Sequence, residues 1–130
     1  MASVYRMCPV AAPSVERRKH PRFAAAGRLA GHLLEQDLPV RVRDIGPGGF
    51  SVETMAPLEE GKEHRVRFIS QDDWSTVLPA KLANCRPSCA EDGSPLYVAG
   101  FAFVDGDGVD TKRTVAVLVE KVTDVKLYEH

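Results

Sequence analysis

The sequence predicts a mainly β fold: six antiparallel strands in a small barrel or sandwich, then a C-terminal α-helix, all preceded by a flexible N-terminal arm. Three observations lead there. Apolar and polar residues alternate through much of residues 27–104, the period of a half-buried strand. Glycine, proline and acidic turn residues divide that region at short intervals. After residue 108 the apolar period becomes that of one helix face.

Residues 1–16 carry Pro9 and Pro13 and no periodicity, so they are expected to form the arm. The single domain is expected over 17–127, since 130 residues favour one domain. The strand candidates are Gly27–Glu35, Leu38–Ile45, Phe50–Met55, Glu63–Ile69, Val77–Cys85 and Leu96–Val104. In the second, Val40 and Val42 face one way and Arg41 and Arg43 the other. In the fourth, Val66 and Phe68 oppose Arg65 and Arg67. Gln36-Asp37, Pro47-Gly48-Gly49, Glu59-Glu60-Gly61 and Glu91-Asp92-Gly93-Ser94 supply the turns. Val115, Leu118, Val119, Val122 and Val125 share a helix face, with Asp110 placed to cap the first turn. That helix is rich in β-branched residues and needs packing to hold it. A seventh strand over Thr114–Val119 is the competing reading.

Composition excludes several functions. Basic and acidic residues number 17 and 18, so the basic surplus expected of a protein that binds nucleic acid polymers is missing. Phe50, Phe68, Phe101 and Phe103 read as core rather than as a stacking platform for single strands. No apolar run is long enough to insert in a membrane, and the N-terminus lacks the unbroken apolar core of a signal peptide, so a cytoplasmic protein is expected. Cys8, Cys85 and Cys89 are odd in number, and the C-x3-C pair has no second half-site, so reduced thiols are expected and no metal or cofactor. His20, His32, His64 and His130 stand in unrelated contexts. Asp105, Asp107 and Asp110 fail as a calcium loop, because Val109 and Ala116 occupy ligand positions. Nothing assembles a nucleophile, a base and an oxyanion site, so no enzyme is expected.

Two stretches remain. RRKHPRF, residues 17–23, holds Arg18 and Arg22 on extended chain, because Pro21 disfavours helix at His20. DIGPGG, residues 44–49, follows the second strand. It reads as a hairpin turn with Gly48 or Gly49 at positive φ. Three glycines exceed what one turn needs, which points to close approach of another group.

Together, Arg18-Lys-His-Pro-Arg22 and Asp44-Ile-Gly46-Pro-Gly-Gly49 resemble the paired R-x-x-x-R and D/N-x-S-x-x-G motifs of the PilZ domain family, receptors for the bacterial second messenger cyclic di-GMP. GFAFVD (100–105) followed by a helix also looks like the end of that domain, and the resemblance covers about residues 16–125. It implies a six-stranded antiparallel barrel with a C-terminal helix. It also implies that Arg18 and Arg22 clamp phosphate and guanine, with Arg17 as an extra cation. Asp44 then accepts from the guanine edge, while Gly46, Gly48 and Gly49 leave room for the ligand. The arm is expected to order on the ligand and to signal to a protein partner, as yet unidentified. The competing expectation is a PilZ-like adaptor that works through protein contacts without the nucleotide. Gly46 stands where the motif has serine. The missing hydroxyl is expected to weaken binding roughly ten- to a hundredfold, unless the Gly46 amide donates instead; on that account a serine restored there tightens binding.

Overall fold

The computed structural model describes residues 21–104 and 110–123. Arg17, Arg18, the arm over residues 1–16, Asp105, Asp107 and Val125 lie outside the described residues. The described residues form seven strands: β1 (Phe23–Ala24), β2 (Leu29–Leu33), β3 (Leu38–Ile45), β4 (Gly49–Thr54), β5 (Glu63–Ser70), β6 (Ser75–Cys89) and β7 (Pro95–Phe103). All neighbours run antiparallel in the order β1-β3-β2-β5-β6-β7-β4, and a further β3–β4 pairing closes β2 to β7 into a six-stranded barrel.

Alternation builds the core. Val40 and Val42 of β3, Phe50 and Val52 of β4, Val66 and Phe68 of β5 and Leu78, Ala80 and Leu82 of β6 all point inward and are buried. Phe50 organises them. It stacks on Phe101 at 4.9 Å and meets Phe68 edge-on at 4.9 Å, the offset and perpendicular geometries that ring quadrupoles favour. Phe103 is only partly buried and packs against this cluster.

The chain departs from the expected elements in three places. β1 was not anticipated: two residues give no periodicity to read. It pairs with Asp44 and Ile45, the end of β3 that β2 does not reach. β6 runs four residues past Cys85, since that half pairs with β7 alone as a long hairpin arm. The cysteine pair therefore lies on a strand rather than by a loop. Cys85 is a free thiol, but Cys89 is disulfide-bonded, so the expectation of reduced thiols fails there. Positive φ also falls elsewhere than DIGPGG: among the described glycines it occurs at Gly27, Gly61 and Gly93.

The C-terminal element is α1 (Thr111–Thr123), not a seventh barrel strand. Asp110 caps it, its Oδ1 accepting from the Arg113 amide at 3.1 Å. Val115, Leu118, Val119 and Val122 are buried in the barrel core, which supplies the packing that its β-branched composition requires. At its far end Arg28 donates to the Val122 carbonyl at 3.1 Å, and Lys121 reaches Asp72 at 2.6 Å. That pairing, helped by Ser70, lowers the Asp72 pKa to about 2.

His64 is a buried titratable group on β5. Nδ1 lies 3.0 Å from Gln36, the ring sits edge-on to Phe101, and the buried Nε2 meets no hydrogen-bond partner among the described residues. Burial pushes its pKa down, outweighing the nearby Glu35. Below about pH 6.5 the unfolded chain therefore takes up a proton that the folded chain refuses, and stability falls by at most about 1.4 kcal/mol per pH unit. Thermal melts between pH 7 and pH 5 should show a steeper loss of Tm for the wild type than for His64→Gln. Parallel pH profiles would place the titration elsewhere.

Candidate functional site

Strict alternation along β3 would point Asp44 into the core, after Val40 and Val42. A bulge prevents it. Val42 pairs with Val52 but Asp44 pairs with Ser51, so Arg43 is the extra residue. Ile45 becomes the buried one, while Arg43 and Asp44 both stay outside. β6 repeats the device. Leu82 pairs with Phe101 but Asn84 with Gly100, so Ala83 is extra and Asn84 is turned outward.

The two bulges place a polar row across four strands. Asp44 faces Ser51, Ser51 faces Gly100, and Gly100 faces Asn84. A second row beside it runs Arg41, Glu53, Val98, Arg86. Above these rows is a cleft of about 340 Å³ whose lining includes Arg22, Arg43, Asp44, Gly48, Ser51, Asn84, Arg86 and Gly100. That is within the usual size of a small-molecule site, about 300–1,000 Å³.

Arg22 reaches the cleft from the residue before β1. Its Nη1 donates to Asp44 Oδ1 at 2.7 Å, and Ser51 Oγ donates to Asp44 Oδ2 at 2.9 Å. Both carboxylate oxygens are thus engaged, and the pair is largely shielded, at 18% and 26% side-chain exposure. On the neighbouring row Arg43 and Arg41 flank Glu53 at 3.6 and 3.9 Å. A planar guanidinium carries five N–H groups, so Arg22 keeps donors for another acceptor while Asp44 fixes its orientation.

The glycines serve the backbone. A β-carbon at Gly46 would run into the Pro21 carbonyl oxygen and press on the Arg22 side chain. Glycine is what lets the arm cross there. The Gly46 amide donates to the Gly49 carbonyl at 2.9 Å, closing the turn, so it is not free to stand in for the motif hydroxyl. Gly49 is small for another reason: a β-carbon there would strike the Phe101 carbonyl of β7. Gly48 lines the cleft and its carbonyl accepts from the Phe103 amide at 3.1 Å.

Of the residues expected in the site, Arg22, Asp44 and Gly48 come together on this cleft, and Gly46 and Gly49 lie behind it as spacers. Ser51, Asn84, Arg86 and Gly100 were not anticipated. Ser51 could have been found by counting outward from Phe50, but a bulge in β6 has no signature in LPAKLANCRPSC. Among the described residues no three of His, Cys, Asp and Glu cluster to hold a metal, and no helix is long and apolar enough to cross a membrane.

The fold has solved counterparts. The PilZ domain of YcgR from Escherichia coli, determined with c-di-GMP, superposes with a TM-score of 0.64 at 16% identity, covering 82% of this chain and 92% of that one. The MrkH–c-di-GMP complex of K. pneumonia gives 0.67 at 17% identity, covering 85% and 54%. The Bacillus subtilis inhibitor of motility MotI/DgrA gives 0.61 at 13% identity, covering 86% and 54%. The chain thus spans about half the length of the last two. No curated protein matches its sequence. The PilZ domain model matches residues 16–121, most of the chain, and with the closed barrel and the capped helix this makes the protein a member of the PilZ domain family.

Proposed function

We propose that this chain is a cyclic di-GMP receptor that takes the ligand in the cleft between Arg22 and the outer faces of β3, β4, β7 and β6, and passes the signal to a protein partner controlling motility, secretion or exopolysaccharide. One observation carries the reading: Arg22 and Asp44, 22 positions apart, meet at 2.7 Å on the cleft, with Ser51 orienting the carboxylate. A guanidinium presents donors to a phosphodiester or to guanine O6 and N7, and a carboxylate accepts from guanine N1–H and N2–H₂. Arg17 and Arg18, from the chain preceding Pro21, complete the clamp. Ordering of the arm on the ligand falls to that preceding chain, because Arg22 is already held by Asp44. YcgR and MrkH, both determined with c-di-GMP, share the fold.

A second reading, an adaptor that works without the nucleotide, is favoured by the same ion pair: Arg22 and Asp44 satisfy each other, and no serine stands at position 46. The expectation against nucleic acid rests on the balanced charge and on aromatics that read as core. MrkH, described as a c-di-GMP-dependent transcription regulatory factor, has this fold, so the fold offers no support for that exclusion.

Calorimetric titration with cyclic di-GMP separates the two readings. Binding should be measurable at ligand concentrations of about 100 μM or below; absence of heat there would leave only the adaptor. Arg22→Ala should weaken binding roughly ten- to a hundredfold, the worth of one charged hydrogen bond. An unchanged affinity would move the site elsewhere.

The crossing at Gly46 reverses the expectation for a restored serine. Gly46→Ser and Gly46→Ala both force the arm away from β3, an overpacking cost of about 1–3 kcal/mol that should weaken binding roughly tenfold or more. Melting curves on both variants should fall with it. Tighter binding by the serine variant alone would show that its hydroxyl reaches the ligand and the arm yields.

A further inference from the structure

We infer that Arg86, on the outer face of β6, is a ligand-binding residue: the phosphate anchor on the wall of the cleft contributed by β6, across from Arg22. This rests on the cyclic di-GMP reading above.

Three observations carry it. The first is position. The Ala83 bulge turns the second half of β6 so that Asn84 and Arg86 lie outward, and both line the same cleft as Arg22 and Asp44. Arg86 sits opposite Val98, one row along from Gly100, where the lack of a side chain leaves Asn84 and Arg86 as the projecting groups on that wall.

The second is charge. Arg22 is committed to Asp44 at 2.7 Å, and Arg43 faces Glu53 at 3.6 Å. Arg86, which is exposed, makes no ion pair or hydrogen bond with any described residue. Among the described guanidiniums on the cleft it alone can take an anion without sharing it with a carboxylate. Because Arg86 is exposed, taking up a phosphate oxygen breaks no contact with a described residue.

The third is the ligand. Cyclic di-GMP has two phosphodiesters on one ring, and Arg22 reaches the cleft from the β1 side. Arg22 and Arg86 stand on different walls of the cleft, so a cation on the β6 wall meets the second anion. Asn84, beside it, offers a donor and an acceptor to the ribose or base between them.

The test is calorimetric titration of cyclic di-GMP into the full chain, wild type against Arg86→Ala and Arg86→Lys, with melting curves for each. Arg86→Ala should bind at least about tenfold more weakly with an unchanged Tm. Arg86→Lys, which keeps the charge but loses the planar fork, should stay within about threefold of wild type, because a phosphate accepts a point charge where a guanine edge does not. A wild type that binds alongside an Arg86→Ala variant within about twofold of it overturns this assignment and leaves the receptor reading standing. A lysine variant as weak as the alanine one overturns the phosphate contact. A wild type that gives no heat overturns the receptor reading and this inference with it.

Discussion

A β-strand sends successive side chains to opposite faces, and the cleft of this protein depends on breaking that rule twice. Without the bulge at Arg43, Asp44 would follow Val42 into a core built around Phe50, Phe68 and Phe101. An ionised carboxylate there would cost several kcal/mol or lose its charge. Without the bulge at Ala83, Asn84 would follow Leu82 inward. Each bulge spends one residue to change the facing of everything after it, and each restores the inward pattern at once, through Ile45 and Cys85. The barrel therefore keeps its packing while four strands contribute to one polar row.

The second constraint is the arm crossing. β1 is only two residues long and could not fix the arm by its ladder alone. It is held because Gly46 lets the Pro21 carbonyl come down onto the turn, and because Arg22 then reaches Asp44. An exposed ion pair is worth about 0–1 kcal/mol. This one is shielded, and Ser51 fixes the carboxylate from its other side, so its effect is on orientation more than on stability. A bound partner that meets groups already oriented loses less side-chain freedom on association. Gly46 is a departure from the family pattern only if the position is judged by its side chain. Judged by its backbone, it is what permits the arm to lie where it does.

Much of this was legible in the sequence. Strands, helix and N-cap followed from alternation, turn residues and Asp110, because those signals are local and repeat over several residues; the choice of barrel over sandwich came from the PilZ resemblance. Through their resemblance to the PilZ motifs, the R-x-x-x-R and D-x-G-x-x-G stretches marked Arg22 and Asp44 as members of one site, but not as each other's partner. What escaped were features without local signal. β1 is too short to show a period. The bulges at Arg43 and Ala83 are set by cross-strand register, which sequence spacing within one strand does not encode. Arg86 and Asn84 were therefore invisible as site residues. The close approach at Gly46 was hidden for the same reason: the group that a β-carbon would meet there, the Pro21 carbonyl, is 25 positions away.

Alternation in the arm has one further consequence. Arg22 points to the cleft, and its neighbours Pro21 and Phe23 point the other way, where with Pro47 they line an apolar cavity of about 460 Å³ against Lys112, Val115, Ala116 and Val119 of α1. The two faces of three consecutive residues thus touch the polar cleft and the apolar cavity. The helix itself is held at its other end by Arg28 on the Val122 carbonyl and by the Asp72–Lys121 pair. Because the three residues are consecutive, the backbone path that presents Arg22 to the cleft also sets how Pro21 and Phe23 meet Val115 and Val119.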